Sequence, residues 1–278
     1  MNDTTDSAHA TRQGQLLPEI DGPDRLGLDI AGGRAELFCA MSPDKLSDNQ
    51  DSAMVVQLDD DTAVLAVADG AGGIQGGRRA SRLALVTLRD ALLGAPRPVN
   101  NLRSVILNAI EMANDAVIAA TRGAATTLTV VSVEGREARV FHVGDSVALI
   151  TGQRTAVKLQ TVAHSPVGFA IAAGFLTEEE AMYHPERHIV SNFVGTHDMI
   201  IEVGSTINMA THDSVLLASD GLADNLYMSE ILAMMRRGPI DASLDELVAL
   251  SQKRMQRQVL NEPGKADDLA VILFRKPD

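Results

Sequence analysis

Residues 52–77 read SAMVVQLDDDTAVLAVADGAGGIQGG. Two apolar runs, SAMVVQL and TAVLAVA, stand on either side of LDDD, a cluster of turn-forming residues. That spacing predicts a hairpin, so neighbouring strands here run antiparallel. The second run stops abruptly at Asp69, and glycines follow at 70, 72, 73, 76 and 77. A tight turn needs one or two glycines. Either the loop cradles a phosphate, or Asp69 holds something and the glycines let it come close.

The same pattern of short β-like runs extends outward: AELFCAM, TTLTVVSV, EARVFHV, VALIT, MIIEV, SVLLAS and LAVILF. VEGRE gives a second hairpin turn, between TTLTVVSV and EARVFHV. Helical periodicity predicts three long helices. One begins near Gly76, carries Ala80, Leu83, Val86 and Leu93 on a stripe, and stops at Gly94 and Pro96. Another repeats Val105, Ile106, Ala109, Ile110, Ala113 and Val117 up to Gly123. The third starts at Ser243, three residues before Glu246, a capping-box spacing. Shorter helices are expected at TEEEAMY and SEILAMMRRG. Strands that arrive in antiparallel groups between helices predict an α+β fold, with sheets covered by helices, and argue against a doubly wound parallel sheet. Residues 27–278 read as one domain, preceded by a flexible extension over 1–26.

Bulk properties narrow the function. The chain has 278 residues and a formal net charge of −13, with no long basic block. Nucleic acid is therefore excluded as a partner, since its phosphates are held mainly by Lys and Arg. A single cysteine, Cys39, rules out an internal disulfide or a multi-cysteine metal site. No run approaches the ~20 apolar residues of a membrane span, and the start of the chain lacks the pattern of a signal peptide. A cytoplasmic protein that touches no membrane is expected.

The charge at the strand end recurs. TAVLAVA ends in Asp69-Gly70, EARVFHV in Gly144-Asp145-Ser146, and SVLLAS in Asp220-Gly221. Asp267-Asp268 directly precede LAVILF, and Asp51 precedes SAMVVQL. Any one Asp-Gly is an ordinary turn, and Asp51 alone could be a cap. Together, acids at several strand ends would form a cluster that cannot stay ionised without cations. All-oxygen ligation selects Mg²⁺ or Mn²⁺ over zinc, and a pair of such ions suits phosphoryl chemistry.

The series DNQDS, VLAVADGAGG, AATTLTVV, FHVGDS, LTEEEAMYHPERH, LLASDGLADNL and ADDLAVIL, in that order, resembles the metal-dependent protein serine/threonine phosphatases of type 2C, bacterial-type members included. The resemblance runs from about residue 36 to the C-terminus. It implies an α+β fold of two packed antiparallel sheets flanked by helices on both sides, in agreement with the strand grouping, with a dinuclear Mn²⁺ or Mg²⁺ site at one end. Asp69 would touch both metals and Gly70 would lend a backbone carbonyl. Asp220 and Asp267 would bind the other metal, and Asp51 would orient water. Asp145 resembles the acid of a third metal site. Residues 164–188 correspond to the mobile flap beside the site. The implied reaction is hydrolysis of phosphoserine or phosphothreonine on a protein, by hydroxide activated between two metals, in a monomer that opposes a serine/threonine kinase.

The sequence departs from that family in two places. Leu46 stands where many members carry an Arg that grips phosphate; Lys45, one position away, is the substitute candidate, with a solvated loop lysine as the plain alternative. Arg78 and Arg79 could compensate, or simply open a helix. Ala71 stands where some relatives place a His acid, so the proton donor is unassigned. His142 reads as a core residue. Gly70, Gly72 and Gly76 with Asp90 imitate a dinucleotide fingerprint, but Asp69 would face the pyrophosphate and Asp90 sits within a helical pattern. Two alternatives stay open: a phosphatase-fold binding module with little or no activity, and a small-molecule phosphatase.

Overall fold

The computed structural model describes residues 15–17, 23–43, 45, 48–72, 76–121, 123–153, 156–236, 238–257, 259 and 262–276. The opening hairpin forms as expected. Strand β4 (Asp51–Gln57) pairs antiparallel with β5 (Thr62–Ala71), and Leu58 N donates to Thr62 O at 2.8 Å across the turn. The Asp59 carboxylate accepts from Asp61 N at 3.0 Å, which closes the acidic turn on itself.

Around this hairpin grows a sheet that runs β1 (Gln15–Leu17), β4, β5, β7 (Leu128–Glu134), β8 (Glu137–Val143), β11 (Glu202–Val203). Two short strands join it: β6 (Ala125–Thr126) on β5 and β12 (Ile207–Asn208) on β8. A second sheet runs β10 (Val157–Gln160), β9 (Val147–Thr151), β13 (Ser214–Ala218), β14 (Leu269–Arg275), β3 (Gly33–Ala40), β2 (Asp24–Ile30). Among the described residues, the strand pairings of both sheets are antiparallel.

Side-chain alternation assigns the faces. In β4 and β5, Ala53, Val55, Ala63, Leu65 and Val67 point toward Leu37, Ile150, Leu217 and Ile272 of the other sheet. Their neighbours Met54, Val56, Val64, Ala66 and Ala68 face helices α1 (Gly76–Gly94) and α2 (Leu102–Ala120). On the far side, Leu216, Ala218, Val271 and Leu273 meet α6 (Met228–Met235) and α7 (Ile240–Met255). The central strands of each sheet are therefore dry on both faces. This explains why the strands read as continuous apolar runs instead of alternating ones.

Some details differ from the sequence reading. Strand pairing reaches into the segment set apart as an extension: Gln15–Leu17 pairs with β4, with Leu16 buried, and β2 begins at Asp24. The polar residues of β2 hid it, because this is an edge strand with one open side. On α1 the fully buried row is Ala80, Ala84, Leu85, Leu88 and Leu92, while Leu83, Val86 and Leu93 pack at its rim. Helix α7 starts at Ile240, so Ser243 lies inside it, buried, with its hydroxyl on Pro239 O at 3.3 Å. Only Glu202–Val203 of MIIEV forms ladder. The short helix expected at TEEEAMY forms as α4 (Glu178–Met182), opened by a capping box at Thr177. Leu46 lies outside the described residues.

Candidate metal centre

Asp51 and Asp69 are cross-strand partners, at the first residue of β4 and near the end of β5. Their pairing follows from the hairpin register alone. Strand β13 delivers Asp220: Ala218 pairs with Val147 on one side and Val271 on the other. Asp145 therefore ends up just ahead of β9, and Asp267 just ahead of β14, at the same edge. Ser219 ties the junction, its N donating to Ala270 O and its Oγ accepting from Ala270 N, both at 3.0 Å. The five acids meet at one end of the sandwich, as the sequence reading placed them.

Backbone contacts hold the acids in place. Asp69 N donates to Thr127 Oγ1 at 3.0 Å, and Asp69 O accepts from Thr126 Oγ1 and Thr127 N, each at 2.8 Å. Gly70 is buried against the first turn of α1. A Cβ on Gly70 would lie 2.1 Å from Gly77 O, and one on Gly77 would lie 2.5 Å from Gly70 O. The glycines thus let strand and helix backbones touch, and keep side chains off the Gly70 carbonyl.

The electrostatics fit a cation site. Burial raises the Asp69 carboxyl well above the usual range, and Asp51, Asp220, Asp145 and Asp267 raise it further. Asp51 is raised well above it too, by burial, then by Asp268, with Ser219 opposing. Asp145 is pushed up to about 8 by burial and the nearby Asp220 and Asp224. Asp267 reaches about 6 through burial and Asp220, moderated by Lys265. Acids that raise one another in this way call for a counter-ion. Asp51 Oδ2 is buried with no hydrogen-bond partner, an orphan acceptor of the kind an ion or its water satisfies. The all-oxygen donor set, with no His or Cys, fits Mg²⁺ or Mn²⁺.

Among the described residues, however, no group of three or more His, Cys, Asp or Glu side chains closes around one ion as it stands. A cation of the chain itself lies among three of the carboxylates. The Lys265 ammonium reaches Asp220, Asp224 Oδ2 at 2.7 Å and Asp267 Oδ2 at 3.0 Å, drawing these carboxylates toward itself. Neither Asp224 nor Lys265 stood out in the sequence. Asp224 had a signal, four residues beyond Asp220 and so one helical turn away. Helix α5 (Asp220–Ala223) runs into that turn, and Asp224 N donates to Asp220 O at 2.7 Å.

The structure gives the remaining candidates other neighbours. Lys45 meets Asp268, whose carboxylate also accepts from Ser42 N at 2.8 Å and Gln50 N at 2.7 Å. Its charge therefore joins the loop before β4 to the start of β14. Arg78 pairs with Asp48 at 2.8 Å, and Arg79 is exposed. His142 is buried; its Nδ1 lies 2.9 Å from Thr129 Oγ1 and its ring 4.6 Å from that of His164. Burial and His164 push it down to about 3, so it stays neutral and serves packing. The flap residues form α3 (Pro166–Ala172) and α4. They roof a cavity of about 590 Å³ whose floor includes Asp145, Asp220 and Asp224 and whose walls include Val167, Met182 and Arg187.

Residues 44–262 match the family described as protein phosphatase 2C. The chain is 32% identical over 218 residues to protein phosphatase PhpP of Streptococcus pneumoniae, covering 76% of this chain and 84% of the relative. A serine/threonine phosphatase of S. agalactiae superposes with a TM-score of 0.74 at 26% identity, covering 87% of this chain and 98% of the other. The catalytic domain of the phosphatase PstP, solved with two manganese ions, shares the fold at a TM-score of 0.69 and 22% identity, over 88% and 99% of the two chains. The chain belongs to the protein phosphatase 2C family and is by that membership a metal-dependent serine/threonine phosphatase.

Proposed function

We propose that this enzyme removes phosphate from phosphoserine and phosphothreonine on proteins, using two Mn²⁺ or Mg²⁺ ions held by Asp69, the Gly70 carbonyl, Asp220 and Asp267. The observation that carries the assignment is the meeting of these acids at one edge, where Asp220 raises both Asp69 and Asp267. Divalent ions there supply an activated water and neutralise charge on the phosphoryl oxygens. Asp51, next to Asp69 and with one oxygen unpartnered, accepts a proton or hydrogen bond from the attacking water. Asp145, on the flap side of the cluster, serves a third ion.

Lys45 offers the substrate phosphate a charge, from an ammonium that Asp268 already positions near the site. Ala71 supplies no acid, so the leaving alkoxide takes its proton from solvent. The walls of the flap cavity are mainly apolar with Arg187 among them, which favours a peptide carrying the phosphate over a bare sugar phosphate. Among the described residues no helix is long and apolar enough to cross a membrane. We read the protein as a cytoplasmic monomer that reverses the work of a serine/threonine kinase in signalling.

The test is Mn²⁺-dependent hydrolysis of p-nitrophenyl phosphate, followed by a phosphopeptide set against sugar phosphates. Turnover is expected in the wild type, with loss in EDTA and in Asp69→Asn. Turnover that survives EDTA would exclude the two-ion mechanism, and preference for sugar phosphates would exclude the protein substrate.

A further inference from the structure

Lys265 sits two residues before Asp267, in the loop between α7 and β14. Its backbone is fixed by Asn225, which is fully buried. Asn225 Oδ1 accepts from Lys265 N at 2.9 Å, while Nδ2 donates to Lys265 O and to Gly221 O, each at 2.9 Å. Asn225 thus locks the root of the lysine beside the segment that carries Asp220 and Asp224. A second device steadies the start of the same loop: buried Arg254 binds Glu230 at 2.7 Å and Glu262 at 2.8 Å. Beyond the root, four methylenes carry the ammonium to three carboxylates, at a position where the side chain keeps 21% of its surface exposed. The anchor is rigid, the arm is flexible, and there is an opening toward solvent.

An ammonium and a divalent ion cannot both bind these carboxylates at contact distance, because their mutual repulsion at a few ångströms is large in a half-buried site. We propose that Lys265 is a tethered competitor for metal: it holds Asp220, Asp224 and Asp267 together in the metal-free enzyme, and an ion enters this side of the site as the ammonium swings out. This rests on the reading of Asp220 and Asp267 as metal ligands. It makes Lys265 a residue that sets metal affinity without touching substrate. In doing so it weakens binding, yet it spares the empty enzyme an uncompensated cluster of charge.

The measurement is calorimetric titration of metal-stripped protein with MnCl₂, for the wild type, Lys265→Met, Lys265→Gln and Lys265→Arg. Both charge-removing variants are expected to bind Mn²⁺ at least about tenfold more tightly, whereas Arg, which keeps the competing charge, shows no gain. Melting gives a second readout. Without metal, the Met and Gln variants melt below the wild type, and saturating Mn²⁺ raises their melting temperatures by more than it raises that of the wild type. Equal Mn²⁺ affinity in wild type, Met and Gln overturns the role of Lys265 while the two-ion reading stands. Failure of all four proteins to bind Mn²⁺ overturns that reading and the competitor with it.

Discussion

Asp51 and Asp69 face each other across one rung of the β4–β5 ladder, yet the surroundings give them different work. Asp51 is 2% exposed and leaves Oδ2 unpartnered, whereas Asp69 is only partly buried and lies against Asp220, Asp145 and Asp267. Asp69→Asn should therefore cost Mn²⁺ affinity directly. Asp51→Asn should lower kcat on p-nitrophenyl phosphate by about 10- to 100-fold, as loss of a ligand's supporting partner does, with Mn²⁺ affinity changed only a few-fold. Asp51→Asn should also raise the melting temperature of the metal-free protein, because it removes one buried like charge. A variant that loses Mn²⁺ binding altogether would instead make Asp51 a direct ligand. Five acids could be found in the sequence because each follows or precedes an apolar run. Lys265 could not, because a lone lysine in a polar loop gives no hint that Asn225, forty residues earlier, fixes its position.

At the scale of elements, the hairpin was the most legible part of the fold. Its acidic turn fixes the register, and the register alone sets Asp51 opposite Asp69. The continuous apolar runs likewise revealed strands buried on both faces. Strands with an open edge or few residues, such as β2, β10 and β12, had no such signature. Two of them simply fold back on the adjacent strand, β2 on β3 and β10 on β9, while β12 pairs with β8, far from it in sequence. Glycine-rich residues 70–77 showed that something approaches closely, but not that it is the chain's own helix. Since a Cβ at Gly77 would lie 2.5 Å from Gly70 O, Gly77→Ala must push α1 away from the site. The expected loss is about 1–3 kcal/mol, the usual cost of overpacking, together with reduced turnover. Gly94→Ala in the same helix has open space and should be neutral or stabilising by up to about 1 kcal/mol. Urea denaturation of the two variants makes the comparison; equal stability would mean that the strand–helix contact is loose.

For the whole molecule, the edge that gathers the strand ends also gathers charge, so the metal-free fold carries an electrostatic load at its active end. That load has a defined pH sign. A carboxyl whose folded pKa is raised binds protons more tightly in the folded state, so its contribution to stability is complete below the unfolded value near 4 and is lost as pH climbs through the folded value. For Asp267 that value is about 6 and for Asp145 about 8. His142 acts in the opposite sense: lowered from 6.5 to about 3, it makes stability rise with pH, but only up to its unfolded value. Above about pH 6.5 the histidine contributes no slope, and the acids remain. The metal-free protein should therefore lose melting temperature between about pH 6.5 and 8.5. The fall should be several degrees, because a tenfold difference in proton affinity between folded and unfolded chains is worth about 1.4 kcal/mol. Saturating Mn²⁺ should flatten the slope, since bound ions keep the carboxylates ionised in the folded state. Asp145→Asn should flatten it without metal, by removing the group that titrates there. Thermal scans of the stripped and Mn²⁺-loaded proteins across that range decide the matter. A metal-free melting temperature that holds steady to pH 8.5 would mean the acids are already neutralised by the chain itself, with Lys265 as the leading source of that charge.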